Sequence, residues 1–89
     1  MEMIQDLNQI DAIAKQVATA NLGSQSVKSV RSSQTIDSMG RDALQIVITF
    51  TPGSLSQVTG RAASTTIFEL SKRLLEMGEE RFPIVRWAE

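Results

Sequence analysis

The sequence predicts an α+β fold: a two-layer sandwich in which two helices cover one face of a three-stranded sheet. One strongly β-forming run, at residues 42–51, marks the strand around which the chain is organised. A 4-3-4-3 spacing of apolar residues between 63 and 77 marks the best-defined helix. Weaker patterns complete an α-β-β-α-β order, and a chain of 89 residues is predicted to form a single α+β domain, residues 1–89.

The run at 42–51 has two unequal faces. Its large apolar side chains recur at every second residue, which places them on one face of a strand: Leu44, Ile46, Ile48 and Phe50. The opposite face is milder and mixed, with Ala43, Gln45, Val47 and Thr49. We expect the first face to cover both helices, and the second to meet solvent or a partner.

The first helix is predicted at residues 3–20. Its apolar residues form a stripe at helical spacing: Met3, Ile4, Leu7, Ile10, Ile13, Ala14 and Val17. Gly23 follows the stripe, where a helix end favours a residue that tolerates positive φ.

Residues 26–36 predict a strand of lower quality. Val30 and Ile36 share a parity that Val27 lacks, and a β-bulge would reconcile them. Ser32 is expected to be an ordinary hydroxyl on a half-exposed strand, so Ser32→Ala should change stability by no more than about 0.5 kcal/mol. Asp, Ser and Gly within residues 37–42 then predict a hairpin turn.

The second helix carries two apolar stripes. It begins after Thr59, or earlier if Ser54 or Ser56 caps it. Its main stripe is Ala63, Ile67, Leu70, Leu74 and Met77, and Gly78 fits as its C-cap. Phe68 and Leu75 lie seven residues apart on a neighbouring stripe. Two stripes indicate two neighbours: a sheet, and either helix one or another subunit.

Residues 79–81 are a polar break, and residues 82–87 predict a short closing strand. Trp87 is the only tryptophan in the chain. It either completes the core or, with Arg86, anchors an interface, since Trp and Arg are the residue types that dominate interfaces. The predicted partner-binding residues are Phe68, Leu75, Arg86 and Trp87.

Composition excludes several chemistries. The chain has no cysteine and no histidine, so it lacks thiolate ligands, disulfides and the commonest general base. We therefore predict that it is not an enzyme and binds no cofactor or metal. The net charge of −1 argues against nucleic acid. An acidic N-terminus and the lack of a long apolar run predict a cytoplasmic protein without a membrane span.

Three constellations have a structural and a chemical interpretation, and the structural one is favoured in each. Asp37 and Asp42 could bind a cation, but turn aspartates usually bond their own backbone. Lys28 is the only candidate base near the serines of the first strand. Arg61 at the start of helix two could meet a phosphate, but the P-loop spacing and its Lys are missing.

The basic residues of helix two are flanked by acids. Two pairs at i,i+4 predict a self-neutralised face, Glu69 with Arg73 and Lys72 with Glu76. The alternative function is a nucleic-acid-associated module, and it would use Arg31, Lys72, Arg73 and Arg86. A continuous basic face would support that alternative.

Two resemblances bear on these expectations. The element order is similar to that of the C-terminal domain of NifU-type iron–sulfur scaffolds, but the Cys-x-x-Cys motif of that family is missing. Residues 27–87 also resemble a family of small uncharacterised bacterial proteins. The matching positions are Asp37, Gly40, Ala43, Leu44, Ile46 and Ile48, followed by Gly78, Glu79, Arg81, Phe82, Pro83, Val85 and Arg86.

The second resemblance implies a toxin–antitoxin setting, with a HEPN-like or nucleotidyltransferase-like protein as partner. Together with the composition, it predicts a non-enzymatic protein–protein interaction module, the antitoxin-like small partner of a bacterial two-gene system. Two open sheet edges and the second stripe of helix two predict a homodimer, with pairing of edge strands as one mode.

Overall fold

A computed structural model of the chain describes residues 7–89. It contains two helices and a three-stranded mixed sheet, so the predicted α+β class and the α-β-β-α-β order are confirmed. The predicted contributions of Met3 and Ile4 lie outside the described residues. The elements are α1 Leu7–Leu22, β1 Val27–Ile36, β2 Asp42–Phe50, a single 3₁₀ turn at Leu55–Gln57, α2 Gly60–Glu76 and β3 Phe82–Ala88.

The strand order in the sheet is β1-β2-β3. The β1–β2 pair is antiparallel and closes through the predicted hairpin turn, whereas β2 and β3 are parallel. The register shifts between Val27 and Ser29, which confirms the predicted bulge. Parallel neighbours need a crossover connection, and α2 lies within the segment that supplies it.

One hydrophobic core contains residues of both helices and of strands β1 and β2. Leu44, Ile46 and Ile48 are fully buried and cluster with Ile10 of α1 and Leu70 of α2. The predicted inner face of β2 is therefore confirmed. This placement follows from the period-two pattern, because a one-residue change of register would send all these side chains to the other face.

Two residues grouped with buried stripes lie outside this core. Met77 is 49% exposed because it is the C-cap residue of α2, beyond the helical stripe that meets the sheet. Ile36 is 65% exposed because it pairs with Asp42 at the turn end of the hairpin.

The predicted helix caps are present. The Thr59 hydroxyl accepts a hydrogen bond from the Ala62 N–H at 3.1 Å, which fixes the start of α2 at the later of the two predicted positions. Gly23 and Gly78 have φ of 97° and 91°, a backbone region that favours glycine and that ends each helix.

The free edge of β1 is partly covered by α1. The Ser32 N–H donates to Asp11 Oδ1 at 2.6 Å, and the Ser32 hydroxyl also donates to that oxygen. An unpaired edge N–H is a template for pairing with another chain, and here a side chain occupies it. Ser32 is therefore more than an ordinary surface hydroxyl, because it joins helix and strand.

Core truncation tests the buried faces. Ile46→Ala and Leu70→Ala should each lower the free energy of unfolding by about 2–5 kcal/mol, because both side chains are fully buried. Met39→Ala is the control, since Met39 is 75% exposed, and its effect should stay within about 0.5 kcal/mol. Urea unfolding measures all three, and equal effects would contradict the assigned core.

Neighbouring serines of β1 provide a matched pair for the edge contact. Ser32→Ala should lower the free energy of unfolding by about 1.5–3 kcal/mol, because the lost hydrogen bond is to a carboxylate. Ser33→Ala should have little effect, since Ser33 is exposed and pairs with Gln45 on the opposite face. Equal melting temperatures for the two variants would show that the Asp11 contact adds nothing.

Candidate interaction surfaces

The four predicted partner-binding residues do not share one surface. Phe68 and Leu75 lie on the outer side of α2, where they are 69% and 62% exposed. Arg86 lies on the face of β3 that points away from the core, beside Val47 of β2. Trp87 points to the core face, beside Ile48. Two separate surfaces therefore come into consideration.

Trp87 packs against the core. Its ring centroid lies 6.0 Å from that of Phe50 with the planes tilted by 49°, a common geometry for aromatic pairs. The indole is partly buried against the core. Of the two predicted roles, completing the core or anchoring an interface, this position fits the first. The alternation of β3 explains it, because Pro83 and Val85 share the same face.

The first surface is the outer side of α2. A groove of about 450 Å³ runs along it, lined by Thr65, Phe68, Glu69, Lys72, Arg73 and Glu76. The ion pairs predicted within this helix are not formed. Instead, Glu69 accepts a hydrogen bond from Asn21 at 3.0 Å, and Arg73 donates to Gln16 at 3.0 Å. These acid and amide contacts tie α2 to α1 and leave Phe68 and Leu75 outside.

The second surface is the side of the sheet opposite the core, here called the open sheet face. On its central strand Gln45, Val47 and Thr49 are half-buried, whereas Ala43 at the turn end is buried. Cross-strand pairing gives its composition row by row. The rows are Ser29–Thr49–Ala88, Arg31–Val47–Arg86, Ser33–Gln45–Ile84 and Thr35–Ala43–Phe82.

The basic residues suggested for nucleic acid are divided between these surfaces. Arg31 and Arg86 flank Val47 on the open sheet face. Lys72 and Arg73 are exposed on α2, whose Leu70 and Leu74 belong to the same core as the inward residues of β2. The four residues therefore do not form one continuous basic face.

A buried ion pair joins α2 to β3, and sequence reasoning treated its residues as a polar break. Glu79 is fully buried and receives three hydrogen bonds from Arg81, from the backbone N–H, Nε and Nη2, at 2.8 to 2.9 Å. The Arg81 side chain is only 8% exposed. The hydrogen bonds from the arginine side chain are the main reason that the pKa of Glu79 lies below its ordinary value, against the opposing effect of burial.

The turn between β1 and β2 has the structural role expected of a turn aspartate. Asp37 Oδ1 accepts hydrogen bonds from the N–H groups of Met39 and Arg41 at 2.8 and 2.9 Å, and Oδ2 accepts from Arg41 Nε at 3.1 Å. The Arg41 backbone bond is the largest reason that the pKa of Asp37 is lowered. Within residues 7–89, no three acidic side chains are grouped as a cation site.

Comparison of the chain with protein-family models, curated proteins and solved structures finds no match. The two resemblances noted from the sequence therefore stay predictions. Neither described helix is long and apolar enough to cross a membrane.

The Glu79–Arg81 pair can be tested by a double-mutant cycle. Removal of one partner alone, by Glu79→Leu or Arg81→Met, leaves a buried charge and should cost about 3–5 kcal/mol of unfolding free energy. The double variant should be more stable than either single variant, because no uncompensated charge remains. Additive losses in urea unfolding would show that the two side chains do not act as a pair.

Acid sensitivity follows from the direction of the Glu79 shift. Since its pKa is lower in the folded protein than its ordinary 4.5, ionisation of Glu79 favours the folded state above that pH. This contribution should disappear as the pH falls through the lower, folded-state value. The slope of unfolding free energy against pH in acid should be shallower for the Glu79→Leu/Arg81→Met variant than for the native chain, and equal slopes would contradict the assignment.

Proposed function

We propose that this chain is a non-enzymatic protein-interaction module that first associates with a second copy of itself through α2. The observation that carries the proposal is the exposure of Phe68 and Leu75 on a helix whose other side is buried in the core. Large apolar side chains grouped on a surface mark interaction sites more often than isolated ones do.

The stripe suits antiparallel pairing of two α2 helices. Phe68 and Leu75 are two turns apart, and the smaller Ser71 lies between them on the same side. A twofold axis beside Ser71 would place Phe68 of each copy against Leu75 of the other, the reciprocal contact that an isologous dimer requires. Burial of each side chain would contribute about 1.5–3 kcal/mol.

The edges of the sheet favour this mode over the edge pairing considered from the sequence. Asp11 already occupies the Ser32 N–H on β1. The edge strand β3 is short and contains Pro83, which has no N–H to offer a neighbour. The α2 stripe is therefore the better-supported route to a homodimer.

The remaining parts of the proposal have different supports. A two-layer arrangement, with both helices on one face of the sheet, is supported by the single core that they share with β2. The non-enzymatic character is supported by the lack of His and Cys and by the neutralisation of Glu79 by Arg81. A cytoplasmic location and an antitoxin-like role with a HEPN-like or nucleotidyltransferase-like partner stay predictions.

Glutamine substitution tests self-association without changing the net charge. The native chain should be a dimer by light scattering at tens of micromolar concentration, and Phe68→Gln/Leu75→Gln should be a monomer with an intact circular dichroism spectrum. Met39→Gln, at a position 75% exposed on the hairpin turn, should remain dimeric. A monomeric native chain, or a dimer that persists in the double variant, would refute association through α2.

A further inference from the structure

We infer that the open sheet face binds an acidic amphipathic helix of a different protein. The inference deepens the proposed function, since it gives the interaction module a class of partner. It depends on residues that are separate from the α2 stripe. Arg31 and Arg86 supply the charge, and Val47, Ile84 and Phe82 supply the apolar contact.

The two arginines form a fixed pair. Arg31 and Arg86 are both cross-strand neighbours of Val47, so they stand in one row on either side of it. Two strand spacings separate their backbones by about 10 Å. Both side chains are exposed, and neither takes part in an ion pair within the described residues. By contrast, Arg41 and Arg81 are paired with Asp37 and Glu79.

The positions of the open sheet face between and beside the two arginines carry no charged side chain. All other positions of the open sheet face carry small, hydroxyl, amide or apolar side chains, and none carries a carboxylate. Along β3 the apolar side continues from Ile84 to Phe82, which is 64% exposed. At this end the face borders a groove that contains three acids, Asp37, Asp42 and Glu80, together with Arg41. A partner therefore needs apolar side chains for the strip and carboxylates only beside Arg31 and Arg86, where arginine forms bidentate hydrogen bonds.

A helix is the element that covers a sheet face. An extended peptide binds at a sheet edge, because only there can its backbone groups find partners. A helix satisfies its own backbone and presents one apolar stripe, as α1 and α2 do on the other side of this sheet. A helix aligned with the strands and lying over Val47 has Arg31 on one side and Arg86 on the other. Carboxylates on both flanks of its apolar stripe reach them, because a helix with its side chains is about 10–12 Å across.

Two other occupants fit less well. A second copy bound face to face with its strands in the same direction would set arginines against arginines. A copy with its strands reversed would set the arginines of each against the groove that holds Asp42 and Glu80 in the other. Arg31→Gln/Arg86→Gln would then lose the dimer, whereas a dimer through α2 keeps it. A nucleic acid on a sheet stacks its bases on aromatic side chains in the middle of the face. Here the outward residues of the central strand are Ala43, Gln45, Val47 and Thr49, and none of them is aromatic.

The inference can be tested with the full chain and a synthetic helical peptide that carries a leucine stripe with glutamates on both of its flanks. The peptide should shift amide resonances of the open sheet face in NMR titrations. Each of Arg31→Gln and Arg86→Gln should weaken binding by up to about fivefold, and the double variant by about tenfold to twentyfold. The control Arg61→Gln/Lys72→Gln removes two exposed charges from α2 and should leave binding unchanged.

Two further ligands serve as negative controls for binding to the open sheet face. The same peptide with lysines in place of glutamates should not bind, and neither should a single-stranded oligonucleotide. No shifts with the acidic peptide at millimolar concentration would overturn the inference, as would tighter binding of the oligonucleotide. The Phe68→Gln/Leu75→Gln variant separates the two proposals, because it should bind the peptide as the native chain does. If this variant loses the dimer but still binds the peptide, the dimer depends on α2 and the peptide binds elsewhere.

Discussion

The parallel pairing of β2 with β3 is the constraint on which the other features depend. Parallel neighbours cannot be joined by a tight turn, so the chain must travel back along the sheet before β3 begins. The α2 helix lies within that return segment, and its Leu70 and Leu74 are buried in the core that also contains residues of β2. The same route turns Phe68 and Leu75 outward and leaves the opposite side of the sheet without a described covering element.

The junction between α2 and β3 contains a buried ion pair. Glu79 is fully buried one residue after Gly78 ends the helix, and Arg81 neutralises it just before β3 starts. Buried charges are costly, so such a pair is poor evidence of added stability. Its three hydrogen bonds to one carboxylate link the residue that follows Gly78 to the residue that precedes β3.

Local patterns predicted local structure well. The period-two run fixed the inner face of β2, and Thr59, Gly23 and Gly78 marked real helix ends, because periodicity and capping depend on neighbours in the chain. Contacts between distant residues could not be predicted in this way. Nothing in the sequence pairs Asp11 with Ser32, orients β3 parallel to β2, or decides which face Trp87 takes. The row formed by Arg31 and Arg86 becomes visible only once the register is known.

The strand order also bears on the order in which the strands pair during folding. The β1–β2 hairpin joins residues near in the chain, while β3 can find β2 only after a long loop has closed. Contacts of high sequence separation slow folding, so the hairpin can form before β3 docks. Trp87 sits in that late strand against Phe50. Its fluorescence therefore reports, in a kinetic trace, the step at which the C-terminal strand joins the sheet.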